Sequence, residues 1–345
     1  MALSAASVAD RLGLGEDYRG WLADLEALGS PPGGINATVD EATLRRLGFA
    51  VQDARAVLDA LPPPLRGSAE TTADEDEALH WLFERAVHAA RLDVGHIETT
   101  PRTPALPPAS GARGRLFWVF VYLAAVEAIC DWHRQRGVPD AITWATLQDL
   151  GRHVGLFRRR TGQTGLDTQW WLGLHFRGAL FALGRLQFNP FRLCTGPAGP
   201  RFWYADNPPR PDLRPGQVAL GIHIPESGPL TPAAADASLI QARHFFEDHL
   251  PEHATRIAVC TSWLLDQQLA DYLPAESNIV RFQRRFTLLP GSTEADASPF
   301  HFVFGTSPAA APTLKPRTTL ERALLSHLEQ GKHWAMRTGW LDLGP

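Results

Sequence analysis

His223 and Glu226 stand three residues apart in the stretch GIHIPESGPLT, and either could act as a base. An unperturbed imidazole titrates near neutrality, so His223 can take up and release a proton under ordinary conditions. Cys260, in AVCTSW, could serve as a nucleophile if His223 lay beside it. The alternative for Cys260 is a small buried core residue. Ser227 does not sit in a G-x-S-x-G turn, because the earlier glycine is missing. His244, His249 and His253 in HFFEDHLPEH invite a metal reading, but the first two are five residues apart. On a helix that leaves them about 140° apart, and Pro251 interrupts before the third, so no metal site is expected.

These residues need elements to position them. Residues 217–224 form a short β-rich run, 231–250 carry a helical pattern, and 256–260 form another apolar run with Ile257 and Val259 β-branched. Strand, polar loop, long helix and strand make a βαβ unit, which closes right-handed with its strands parallel. The loop from Pro225 to Thr231 then lies at the strand's C-terminal end and the helix N-terminus. Such corners bind phosphates and other anions.

The totals exclude several classes. The chain has 345 residues, 44% hydrophobic and 20% charged, with a net charge of −4, so nothing points to nucleic acid or an acidic membrane. Three cysteines, Cys130, Cys194 and Cys260, are widely spaced and form neither a disulfide framework nor a CxxC pair. That cysteine usage fits a reducing cytoplasm, and the first twenty residues lack a basic segment followed by an apolar core, so a signal peptide is not expected. The most apolar stretch, 116–129, is short and closely flanked by charge, and reads as a buried helix.

Two regions emerge. Residues 1–163 read as an all-α domain: short helices to residue 64 with Thr38 or Asp40 as a cap, a helix over 76–92, the strong apolar helix over 115–136, and one from Thr143 to Phe157 ending in Arg158, Arg159 and Arg160. That triple arginine reads as a solvated helix end. In 164–345 the pattern predicts a helix over 166–174 and strands over 180–188, 202–204 and 218–224, followed by the long helix and the strand to Cys260. A short helix over 264–273, strands over 279–288 and 300–304, and an amphipathic helix over 318–331 complete it. In the 279–288 strand Arg281, Gln283 and Arg285 would share one face, either meeting an anionic ligand or simply solvated.

That order resembles GNAT-type acyltransferases. The blocks LGIHIPESGPLTPAAADASL, CTSWLLDQQLADYLP and SNIVRFQRRF resemble, more specifically, a bacterial acyltransferase family with a helical N-terminal domain and a GNAT-like C-terminal domain. The likeness covers most of the chain and is sharpest between Gly216 and Phe286. It implies an α/β (α+β) fold in which the strand ending near His223 splays from the one ending at Cys260. Acyl-CoA or acetyl-CoA would enter the gap as co-substrate. Its phosphates would meet the backbone at Ile224, Gly228, Leu230 and Thr231, with Arg281 and Arg285 as further candidates. His223 or Glu226 would be the base and Tyr272 the acid for the leaving thiolate, with a small-molecule amine as acceptor. One departure stands out: the loop has a single glycine, Gly228, and two prolines, Pro225 and Pro229, which offer no N–H. The rival expectation is therefore a non-catalytic GNAT-like module that binds a ligand or protein.

Overall fold

A computed structural model describes residues 3–35, 37, 39–62, 65, 74–107, 111–193 and 210–344. The chain divides into two units, Met1–Phe181 and Ala182–Pro345.

The first unit is helical, as its apolar periodicity predicts. Its elements are α1 (Ala5–Leu12), α2 (Arg19–Leu28), α3 (Glu41–Arg46), α4 (Val51–Asp59), α5 (Asp74–Leu92), α6 (Gly111–Gln135), α7 (Asp140–Leu147), α8 (Asp149–Thr161) and α9 (Gln169–Phe176). Asp40 caps α3 by accepting from the Thr43 N–H at 2.7 Å, while Thr38 lies outside the described residues. The apolar α6 is the core of this unit, with Leu116 through Ala125 and Ile129 all buried. It is long and apolar enough to cross a membrane, yet 67% of its most apolar window is buried inside the fold.

The unit continues past the expected boundary at residue 163. Tyr122 of α6 stacks on Phe176 of α9 at 4.7 Å and donates its hydroxyl to the Gln169 carbonyl. Leu166, Leu172 and Phe176 thereby join the helical core. The expected helix from Thr143 is two, α7 and α8, meeting at Gln148. Its arginine end is not simply solvated, because Arg158 donates to buried Asp53 at 2.8 Å and Arg160 pairs with Asp167.

The second unit is built on a mixed sheet of β1 (Phe181–Leu183), β2 (Leu186–Arg192), β3 (Val218–His223), β4 (Ile257–Ser262), β5 (Thr287–Leu288), β6 (Thr293–Glu294) and β7 (Ala335–Asp342). The order is β1-β2-β3-β4-β7-β5, with β6 on β7. The single strand expected over 180–188 is a hairpin that turns at Gly184, whose φ of +70° lies in the left-handed region glycine tolerates. The strand expected over 202–204 lies outside the described residues.

Between β3 and β4 runs α10 (Pro232–His249), capped by Thr231 as its sequence signals. Two other expected strands are helical. Ser277 accepts from the Val280 N–H and starts α11 (Asn278–Gln283), leaving only Thr287–Leu288 extended. Phe300–Phe304 winds as a π-helix. The short helix expected after β4 is a pair of 3-10 turns, Trp263–Leu265 and Gln267–Asp271. The final helix α12 (Thr319–Glu329) has a full capping box between Thr318 and Glu321. Behind it the tail forms β7, which pairs with β4 from Ile257↔Asp342 to Ser262↔Arg337.

Pairing in this sheet is uneven. β2 and β3 stay in register to Gln187↔His223, and β4 and β7 to Ser262↔Arg337, so both flanks are laddered to their tips. The parallel ladder between β3 and β4 holds only Leu220↔Ala258 and Gly221↔Val259. Beyond Gly221 and Val259 the two strands run on unpaired with each other.

Candidate active site

The unpaired tips carry polar groups. Side chains alternate along a strand, so His223, Gly221 and, across β2, Asn189 share one face. His223 is half-buried, and its Nε2 lies 2.6 Å from Asn189 Oδ1. The Asn189 amide nitrogen donates to the Pro190 carbonyl at 3.5 Å, which sets its oxygen toward the ring. An oxygen acceptor there means that in the neutral ring Nε2 carries the proton and Nδ1 the lone pair. Gly221 makes this approach possible: a Cβ on it would fall 2.2 Å from Asn189 Oδ1. At the tip of β4, Thr261 lies on the same face, its hydroxyl 2.9 Å from that of Thr338 on β7.

The loop after β3 is held by Arg185, from the β1–β2 turn. Its guanidinium donates to the carbonyls of Pro225 at 2.9 Å, Gly228 at 3.0 Å and Pro229 at 3.3 Å. The Arg185 backbone N–H donates to Ser238 Oγ on α10 at 2.7 Å. The loop carbonyls are thus drawn to one cation. Among the described residues no acceptor meets the N–H groups of Gly228, Leu230, Thr231 or Ala233, although prolines remove those at 225, 229 and 232. Unpaired N–H groups in one short turn, joined to the N-terminus of an 18-residue helix, form a corner suited to anionic oxygens. Gly228, at φ +77°, supplies the left-handed turn.

The expected residues separate into those at this corner and those away from it. His223, Ile224, Glu226, Gly228, Leu230 and Thr231 lie together by chain continuity, with Glu226 exposed. Arg285 is close by, but it is committed to Asp236 Oδ1 at 2.7 Å and to the Pro232 carbonyl at 3.2 Å, in the first turn of α10. Arg281 and Arg285 do not share a strand face with Gln283, because α11 replaces that strand; Gln283 instead donates to the Leu264 and Asp266 carbonyls.

Cys260 cannot pair with His223. The Gly221↔Val259 register sends its side chain to the opposite face of the sheet, where it is 1% exposed and burial pushes its thiol up to about 12. Tyr272 is engaged elsewhere, its hydroxyl 3.0 Å from His327 Nδ1 and 3.4 Å from Gln330, beside Trp334. Since His327 Nε2 faces the His333 carbonyl at 3.2 Å, Nδ1 is the acceptor and the tyrosine proton points to it.

Asn189 and Arg185 were missed by sequence reasoning. An asparagine inside the apolar strand LQFNPF was a legible signal, because that residue is disfavoured in strands without a reason. Gly221 in VALGIH was another, since a strand-interior glycine marks a close approach. Nothing local singled out Arg185.

A mixed sheet whose ladder between two parallel strands stops short of their tips, beside a loop with N–H groups that no described acceptor meets, fits the frame of a GNAT-like acyltransferase. Residues 180–341 match the GNAT-like C-terminal domain family and residues 40–178 the N-acyltransferase N-terminal domain family. A solved acyltransferase in complex with decanoyl-CoA and teicoplanin is 39% identical, with a TM-score of 0.85 over 99% of this chain and 100% of that one. The complex with CoA and 10C-teicoplanin gives the same values. A mutant acyltransferase with octanoyl-CoA is 38% identical, with a TM-score of 0.84 and the same coverage. Among proteins of curated function, none matches the chain. The chain belongs to the acyltransferase family that joins an N-acyltransferase N-terminal domain to a GNAT-like C-terminal domain.

Proposed function

We propose that the protein transfers an acyl group from acyl-CoA to an amine of a small molecule, by direct attack in a ternary complex. The observation that carries this is the ladder break between β3 and β4 beside the N–H-lined loop. The thioester would lie between the strand tips, with its pyrophosphate on the N–H groups of Gly228, Leu230, Thr231 and Ala233. Decanoyl- and octanoyl-CoA in the related structures support a medium-chain donor, and teicoplanin and 10C-teicoplanin in two of them support a glycopeptide as acceptor class.

The amine nitrogen attacks the thioester carbonyl. A C–N bond forms, the C–S bond breaks, and the CoA thiolate departs and takes up a proton from solvent. His223 Nδ1 takes the proton lost by the nitrogen, and a positioned base of this kind contributes about 10²–10⁴-fold. Glu226, exposed on the loop, is the second candidate for that proton. Tyr272, directed to His327, has no part in this scheme.

Titration calorimetry with decanoyl-CoA and acetyl-CoA tests the binding half, and mass spectrometry of a glycopeptide incubated with enzyme and donor tests the transfer. Heat of binding together with a product heavier by one acyl group is expected. Absence of binding to either donor at millimolar concentration would leave the non-catalytic alternative.

A further inference from the structure

We infer that Asn189 is a positioning residue that fixes the tautomer and direction of His223, and that Gly221 is glycine in order to admit it; this rests on His223 being the base proposed above. A neutral imidazole has two nearly equivalent tautomers, and only one presents a lone pair to a substrate on a given side. The 2.6 Å contact from Nε2 to Asn189 Oδ1 selects the form with its proton on Nε2. The amide is itself oriented, because its nitrogen donates to the Pro190 carbonyl.

The strand geometry makes this a built arrangement. Asn189 is the cross-strand partner of Gly221, and His223 lies two residues further along the same face. Reaching the ring from there, the amide must pass over position 221. Any side chain at that position would meet the amide oxygen at 2.2 Å and its Cγ at 3.2 Å. Three residues on two antiparallel strands thus aim one ring nitrogen. The outcome of a proton transfer depends on such aim, because the base must meet the proton at hydrogen-bond distance.

The test compares Asn189→Leu, Asn189→Asp and His223→Gln in steady-state kinetics across pH, with nitrogen-15 NMR of the histidines in the full-length chain. Asn189→Leu keeps the size and removes the acceptor. It should lower kcat at least about tenfold with the KM for acyl-CoA unchanged, and should turn the single Nε2–H signal of His223 into a mixed tautomer population. Asn189→Asp keeps the acceptor and adds a negative charge, so it should restore activity and move the acidic limb of the rate profile to higher pH. Should Asn189→Leu leave kcat, the limb and the tautomer as in the parent, the positioning role is wrong. Should His223→Gln keep full activity and the same acidic limb, the base assignment fails instead, whatever the asparagine variants do. The tautomer signal reads the Asn189 contact independently of catalysis and separates the two.

Discussion

The helical unit and the sheet unit both place ionisable groups among apolar ones, but they treat them differently. In the helical unit they are closed in on one another. Asp149 is 1% exposed, lies 2.7 Å from His175 Nε2 and pairs with Arg152. Burial pushes its carboxyl up, yet His175, Arg152 and His153 outweigh that and hold it well below the usual carboxylate range. Asp53 is buried against Arg158 and Thr164 in the same way. In the sheet unit the polar groups sit where a ladder stops: His223 and Asn189 at the tip of β3, Thr261 and Thr338 across the gap. Groups buried against one another hold structure, whereas half-exposed groups beside unpaired strand ends are placed to meet something else.

Substitutions can break that contrast. The largest effect is expected from His223→Ala, which should lower kcat by about 10²–10⁴-fold with the melting temperature nearly unchanged; a purely structural histidine would give the reverse. Asp149→Ala should do the opposite and cost about 1–3 kcal/mol of stability, read by chemical denaturation, because it leaves the buried His175 Nε2 without its partner. Arg185→Ala releases the three loop carbonyls and should raise the KM for acyl-CoA roughly tenfold, the scale of one charge-assisted hydrogen bond, with little change in kcat.

Acid and base should sharpen the same contrast with opposite signs. Burial holds His133 and His153 of the helical unit down to about 4. The unfolded chain protonates such groups below about 6.5, so between roughly 6.5 and 4 it binds more protons than the native state. Stability of this unit therefore falls on acidification through that window, by up to about 1.4 kcal/mol per pH unit for each histidine. In the sheet unit the Asp296 hydrogen bond, aided by Glu294, raises His333. That contribution is present below the unfolded pKa and is lost as pH rises through the folded one, the smallest effect expected here. Denaturation followed separately for each unit from pH 4 to 9 checks both signs.

Much of the second unit was legible because its signals are local. Thr231 before Pro232 marks the start of α10, and Thr318 with Glu321 marks the start of α12. Runs near 218–224 and 256–260 became β3 and β4 within a residue or two. The misreadings were short apolar runs whose period does not separate strand from helix, at 279–288 and 300–304. Ser277, three residues before the Val280 N–H it accepts from, was the overlooked start signal of α11. β7 was missed as a strand because its partners, β4 and β5, are far away in the chain.

The candidate site divides along the same line. Composition, helix caps and the strand–loop–helix order by themselves determined the class of fold and the corner at 223–231, because caps and periodicity act within a few residues. Only the tertiary structure decided which face each side chain occupies. Strand register set Cys260 apart from His223 and brought Asn189 beside it, and a turn between two earlier strands delivered Arg185 to the loop. Register is a relation between distant segments, and a shift of one residue would have reversed the placing of Cys260 and Asn189 relative to His223.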